Sequence, residues 1–102
     1  MNDIEFIQSK IPPSELFCQL AEEAAELAQA ALKLHRIYDC TNPTPVKMET
    51  AYENLLEEIA DVSLVLDALG FNIKETKIAI GIAKIEKLGR WVERLKESGA
   101  KP

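Results

Sequence analysis

Apolar residues recur every three or four positions along two long stretches of this chain, which is the period of a helix with one buried face. The first stretch follows Pro12-Pro13, starts at Ser14 and runs to about Tyr38 without an internal glycine or proline. Its apolar stripe consists of Leu16, Leu20, Leu27, Ala30 and Leu34. We therefore predict one long helix here, called helix A.

The second stretch predicts another helix, helix B, with residues typical of helix ends at both of its ends. Thr44 is suited to the N-cap with Pro45 at the first helical position, and Gly70 follows Leu69 where a left-handed residue commonly ends a helix. Its stripe consists of Ala51, Leu55, Val62, Val65 and Leu69.

A short helical segment over 2–10 precedes helix A, and a third long helix, helix C, follows helix B. Asn72 and Glu75 resemble a capping box, so we expect helix C to run from Ile73 to about Glu97. No convincing strand pattern appears. The predicted fold is all-α: one domain over 1–102, an antiparallel bundle of three long helices plus a short N-terminal helix. The apolar stripes exceed what one small chain can bury, so we expect oligomerisation to complete it.

Acidic residues interrupt both stripes at matching positions. Glu23 lies at the centre of the helix A stripe and Glu58 at the centre of the helix B stripe, each followed three residues later by a second acid, Glu26 or Asp61. The two helices superimpose in sequence with a shift of 35 residues, which is a weak internal repeat. If helices A and B pack antiparallel with their stripes facing, the four carboxylates converge.

Such a cluster requires a counter-charge, because burying an isolated charge costs several kcal/mol and like charges repel. All the donors are carboxylate oxygens, and neither histidine nor cysteine accompanies them. This donor set favours Mg²⁺, with Mn²⁺ as its usual substitute, and disfavours Zn²⁺.

Composition narrows the class of protein. The 102 residues are 47% hydrophobic and 28% charged, which indicates a globular chain. The net charge of -5 gives little electrostatic basis for binding nucleic acid. The N-terminus is acidic, and no apolar run approaches the roughly 20 residues of a membrane span. The two cysteines are too few for a disulfide scaffold. These features predict a cytoplasmic protein without a membrane partner.

The segments Glu22-Glu23-Ala24-Ala25-Glu26-Leu27 and Glu57-Glu58-Ile59-Ala60-Asp61-Val62 resemble the paired EExxE and ExxD motifs of the MazG-like all-α nucleoside triphosphate pyrophosphohydrolases. The resemblance covers residues 14–69 and extends loosely into helix C. It implies that Glu23, Glu26, Glu58 and Asp61 bind Mg²⁺. It further implies cleavage of a nucleoside triphosphate to the monophosphate and pyrophosphate, homodimers or homotetramers, and a role in nucleotide-pool control or house-cleaning.

Other residues have candidate roles in that reaction. We expect Glu23 to be the general base, because its central position restricts its motion and raises its proton affinity. Asn54 lies one turn before Glu58 and is a candidate for substrate binding, with an ordinary surface amide as the equal alternative. Lys84, Lys87 and Arg90 of helix C are candidate phosphate contacts or, as readily, solvated surface residues.

A different class of function also fits these acids. In a noncatalytic helical dimerisation or regulatory module, the carboxylates would pair with Lys or Arg of a partner subunit. Two other enzyme classes are disfavoured. Phosphoribosyl-ATP pyrophosphohydrolase, of the same superfamily, has a histidine soon after ExxD, and residues 63–67 contain none. Ferritin-like di-iron proteins need a Glu-x-x-His on each of two helices, and this chain has one histidine, away from the acids. The sequence does not identify the preferred base or sugar.

Overall fold

The structure, a computed structural model, describes residues 1–40 and 46–99 and contains four helices in that part of the chain. They are α1 (Asp3–Lys10), α2 (Pro13–Asp39), α3 (Met48–Ala68) and α4 (Lys74–Glu97). These residues include no strand, so the predicted all-α class is confirmed. Within the same residues, no helix has both the length and the apolar character needed to cross a bilayer.

The first two helices begin and end close to where the sequence predicts. Asn2 caps α1, since its Oδ1 accepts a hydrogen bond of 2.8 Å from the amide of Glu5. Helix A corresponds to α2, which has Pro13 in its first turn, where the missing amide proton is not needed. It ends at Cys40, whose positive φ of 54° places this residue in the left-handed region.

The predicted start of helix B is wrong, and helix C begins one residue later than predicted, without the predicted capping box. Helix B corresponds to α3, which begins at Met48 after an extended Lys47; the predicted cap Thr44 and first residue Pro45 lie outside the described residues. Helix C corresponds to α4, whose extended N-cap residue is Ile73, with no side-chain capping bond. A capping box at Asn72 fails because Asn72 lies one position outside the N-cap and Glu75 therefore occupies the second helical position.

Gly70 confirms the predicted end of α3. Its φ of +88° lies in the left-handed region, which glycine enters without the steric cost of a Cβ atom. The amide of Leu69 still donates to the Val65 carbonyl at 2.9 Å, so the helical bonding continues to the residue before the glycine.

Residues Met1–Leu69 form one compact unit built on α2 and α3. Leu16 of α2 and Ala68 of α3 line one cavity, and Lys33 and Ala51 line another, so the two helices run antiparallel as predicted. The buried side chains of this unit are Leu16, Ala30, Leu34, Ala51, Val65 and Ala68. All but Ala68 belong to the two predicted stripes. Helix α1 is fixed to α3 by Gln8, whose Nε2 donates to the Ala68 carbonyl at 2.9 Å.

Residues Gly70–Pro102 form a second unit, in which the structure describes α4. No residue of α4 is buried, and its apolar stripe includes Ile85 and Leu88 with 74% and 62% of their surface exposed. The three-helix bundle, its completion by oligomerisation and the single domain over 1–102 remain predictions.

Candidate metal centre

Four carboxylates meet between the two antiparallel helices. Glu23 and Glu26 extend from α2, and Glu58 and Asp61 extend from α3, each pair one helical turn apart. One oxygen from each of the four side chains lies within 4.8 Å of the others. The predicted convergence is therefore present, and it follows from the matching register of the two apolar stripes.

Burial divides the cluster into an inner and an outer pair. Glu23 and Glu58, at the centres of their stripes, are half-buried, whereas Glu26 and Asp61 are exposed. The Oε2 atoms of Glu23 and Glu58 are shielded from solvent and have no hydrogen-bond partner among the described residues. A buried acceptor without a donor is costly, so these two oxygens are suited to a cation.

The spacing of the oxygens fits a small hard cation. Oxygen ligands lie about 2.1 Å from Mg²⁺ and about 2.3–2.6 Å from Ca²⁺, so opposite ligands are roughly 4–5 Å apart. The four oxygens span no more than 4.8 Å. The cluster could therefore hold a metal ion, and its spacing is compatible with Mg²⁺ and with other oxygen-seeking cations.

Burial and the proximity of the other acids raise the pKa of both inner carboxyl groups. For Glu23, burial is the largest cause, followed by the negative charges of Glu26, Asp61 and Glu58. Burial also leads for Glu58, where Glu26 and Asp61 again raise the pKa. A divalent ion at the cluster would offset this repulsion.

No Lys, Arg or His of residues 1–40 and 46–99 forms an ion pair with any of these acids. Among these residues the one pair within 4.0 Å joins His35 Nε2 to Asp39 Oδ2 at 3.7 Å on the exposed end of α2. The counter-charge of the cluster is therefore absent from the described part of the chain.

A groove of about 370 Å³ adjoins the carboxylates and follows the two helices toward the end of α2 and the start of α3. Glu26 and Glu58 line it, and so does Asn54, so this predicted residue lies beside the cluster. Sequence analysis missed Gln29 and Lys33, which also line the groove. Their spacing was the available signal, because they follow Glu26 by three and seven residues on one helix face.

The other predicted substrate residues lie in the second unit. Lys84, Lys87 and Arg90 are exposed on α4, and Lys87 and Arg90 line a shallow surface depression next to Trp91. Their contact with phosphate remains a prediction.

Comparison of the chain with protein-family models, with curated proteins and with solved structures finds no match in any of the three.

The raised pKa values predict how a glutamine at position 23 alters stability. The folded state favours protonated Glu23, so the stability this group contributes is present at low pH and is lost as the pH rises from its ordinary value of 4.5 through the raised value. Without divalent ions, we expect Glu23→Gln to have a higher Tm than the wild type at neutral pH. We also expect Mn²⁺ to raise the Tm of the variant less than that of the wild type.

Glu22→Gln is the matched control, because Glu22 is the adjacent acid and is exposed outside the cluster. Thermal denaturation measures the Tm of the wild type and of both variants from acidic to neutral pH, once with EDTA and once with Mn²⁺. Identical responses of the two variants to pH and to Mn²⁺ would contradict the assignment of Glu23 to a metal-binding cluster.

Proposed function

We propose that this chain is a Mg²⁺-dependent nucleoside triphosphate pyrophosphohydrolase that cleaves ribo- or deoxyribonucleotides between the α and β phosphates. The observation that carries the proposal is the convergence of four carboxylates from two motifs, with shielded and unpartnered oxygens on Glu23 and Glu58. The resemblance of the two motifs to those of MazG-like enzymes supports the choice of reaction. Control of nucleotide pools, or removal of damaged nucleotides, is the proposed role.

Glu23, Glu26, Glu58 and Asp61 would hold the metal, for which Mg²⁺ is the proposed ion and Mn²⁺ a substitute. A triphosphate and this acidic cluster repel each other, so substrate binding depends on the cation. When bound, Mg²⁺ would neutralise phosphate charge and lower the pKa of a water molecule.

The remaining chemistry is a proton transfer to this chain. Glu23 would accept one proton from the attacking water at a carboxylate oxygen while the water oxygen bonds to phosphorus. The bond between the α phosphorus and its bridging oxygen breaks, and pyrophosphate leaves with the electron pair. Glu23 is suited to this step because its half-buried position at the centre of the α2 stripe restricts its motion, and because burial and the neighbouring acids raise its pKa when no metal is bound. Glu58 has the same burial and the same direction of shift, so both residues require testing.

The first test is pyrophosphate release from a panel of natural and modified nucleoside triphosphates with Mg²⁺. We expect Glu23→Gln and Glu58→Gln each to lower kcat/KM by about 100-fold or more, as loss of a general base or of a metal ligand does. Glu57→Gln is the control because Glu57 is exposed and lies outside the metal cluster. Absence of pyrophosphate from every nucleotide would refute the proposed activity.

We further propose that the protein works as a homodimer or homotetramer in the cytoplasm, without a nucleic-acid or membrane partner. The exposed apolar stripe of α4 supports self-association. The distribution of charge also supports self-association. Met1–Leu69 contains 13 acidic and four basic residues, whereas Gly70–Pro102 contains four acidic and eight basic residues. The acidic segment of one copy would therefore attract the basic segment of another. The free, exposed Cys18 and Cys40 agree with a reducing compartment.

The same charge distribution favours the second candidate function, a noncatalytic dimerisation or regulatory module. In that case Lys or Arg residues of a partner subunit would neutralise the four carboxylates, and divalent ions would be unnecessary. The pyrophosphate assay separates the two candidates.

Light scattering coupled to gel filtration tests self-association. We expect the wild-type chain to elute at two or four times its 11.4 kDa mass and Ile85→Lys to shift toward the monomer, because a buried charge disrupts an apolar interface. Glu86→Lys is the control, since it introduces the same residue at the next position, outside the apolar stripe. A monomeric wild-type protein, or equal shifts for the two variants, would contradict the proposal.

A further inference from the structure

The groove beside the carboxylates is built from a few residues of two helices. Helix α2 contributes Glu26, Gln29, Ala30 and Lys33, and helix α3 contributes Ala51, Asn54 and Glu58. Ala30 and Ala51 are buried, with 8% and 2% of their surface exposed. Their small side chains leave the space that larger residues on the facing stripes would fill.

The size of this space suits a small-molecule ligand. Its volume of about 370 Å³ falls within the range of about 300–1,000 Å³ found for small-molecule sites. Lys33 lies seven residues beyond Glu26 on α2, which corresponds to roughly 10 Å along the helix axis. The groove is therefore long enough to receive a group attached to a phosphate at the carboxylates.

The chemistry of the walls indicates which part of a nucleotide fits there. Gln29 and Asn54 offer uncharged carboxamides that both donate and accept hydrogen bonds. Glu26 and Glu58 supply two carboxylates against the single ammonium of Lys33, so these walls repel an additional phosphate that no cation bridges. An uncharged nucleoside avoids this repulsion and can use both carboxamides.

We infer that this groove binds the nucleoside end of the substrate, with Gln29 and Asn54 as the residues that recognise the base or the ribose. This inference rests on the proposed pyrophosphohydrolase function and adds the direction in which the nucleotide lies. The triphosphate is at the carboxylates, and the nucleoside extends toward Lys33. Gln29 and Asn54 are specificity residues that contact substrate and hold no metal.

The test compares two ligands that share a phosphate chain and differ in the nucleoside. Isothermal titration calorimetry with Mn²⁺ present measures the Kd of α,β-imido nucleoside triphosphates, which resist cleavage, and of inorganic tripolyphosphate. We expect Gln29→Leu and Asn54→Leu each to raise the Kd of the best-bound nucleotide about tenfold, because a polar group of the ligand loses its partner. The Kd values of tripolyphosphate and of Mn²⁺ should be unchanged.

Gln19→Leu provides the matched control, because Gln19 is exposed on the same helix and outside the groove. Melting curves of each variant establish that it is folded. Equal weakening of nucleotide and tripolyphosphate would overturn the inference and place phosphate in the groove. Unchanged nucleotide binding in both leucine variants would also overturn it.

Failure of the groove inference can be distinguished from failure of the proposed function. If the wild-type protein releases pyrophosphate from nucleotides and the variants bind them normally, the inferred groove role fails and the function stands. If the wild-type protein binds Mn²⁺ but binds and cleaves no nucleotide, both fail.

Discussion

Mutual repulsion among four carboxylates is the constraint on which the rest of this structure depends. Two helices place Glu23 and Glu58 at the centres of otherwise apolar stripes, where leucine or valine would pack without electrostatic cost. Burial and the neighbouring acids raise the pKa of both residues, which shows that the fold disfavours their charged forms. An arrangement that costs stability at this point is typical of functional sites rather than of structural cores.

Small residues beside the cluster leave a groove next to the carboxylates. Ala30 and Ala51 occupy stripe positions that could have carried larger side chains, and the groove lies above them. One pair of helices thus provides both a carboxylate cluster that could hold a cation and an adjoining space with two carboxamides. Since the acids and the groove share Glu26 and Glu58, the two features form one continuous surface in the Met1–Leu69 unit.

Much of this unit could be predicted from local sequence pattern. The two apolar stripes predicted helices α2 and α3, and the matching register of the stripes predicted that Glu23 would lie opposite the acids of α3. The residues at helix ends were less dependable guides. Gly70 was predicted correctly because glycine adopts its φ of +88° without steric cost, whereas the Asn72 cap was wrong because capping depends on which single residue adopts the extended position. Spacing places Gln29 and Lys33 on the same face of α2 as Glu26, but it does not predict a groove, because a groove depends on the axial alignment of two helices and on the small size of Ala51.

The central claim is that a divalent cation occupies the gap between α2 and α3. Anomalous X-ray diffraction from crystals grown with Mn²⁺, collected on both sides of the manganese absorption edge, tests it most directly. The account predicts an anomalous peak within coordination distance of oxygens from Glu23, Glu26, Glu58 and Asp61. A gap without a manganese peak, or one in which lysine or arginine side chains of a second copy contact these carboxylates, would contradict it.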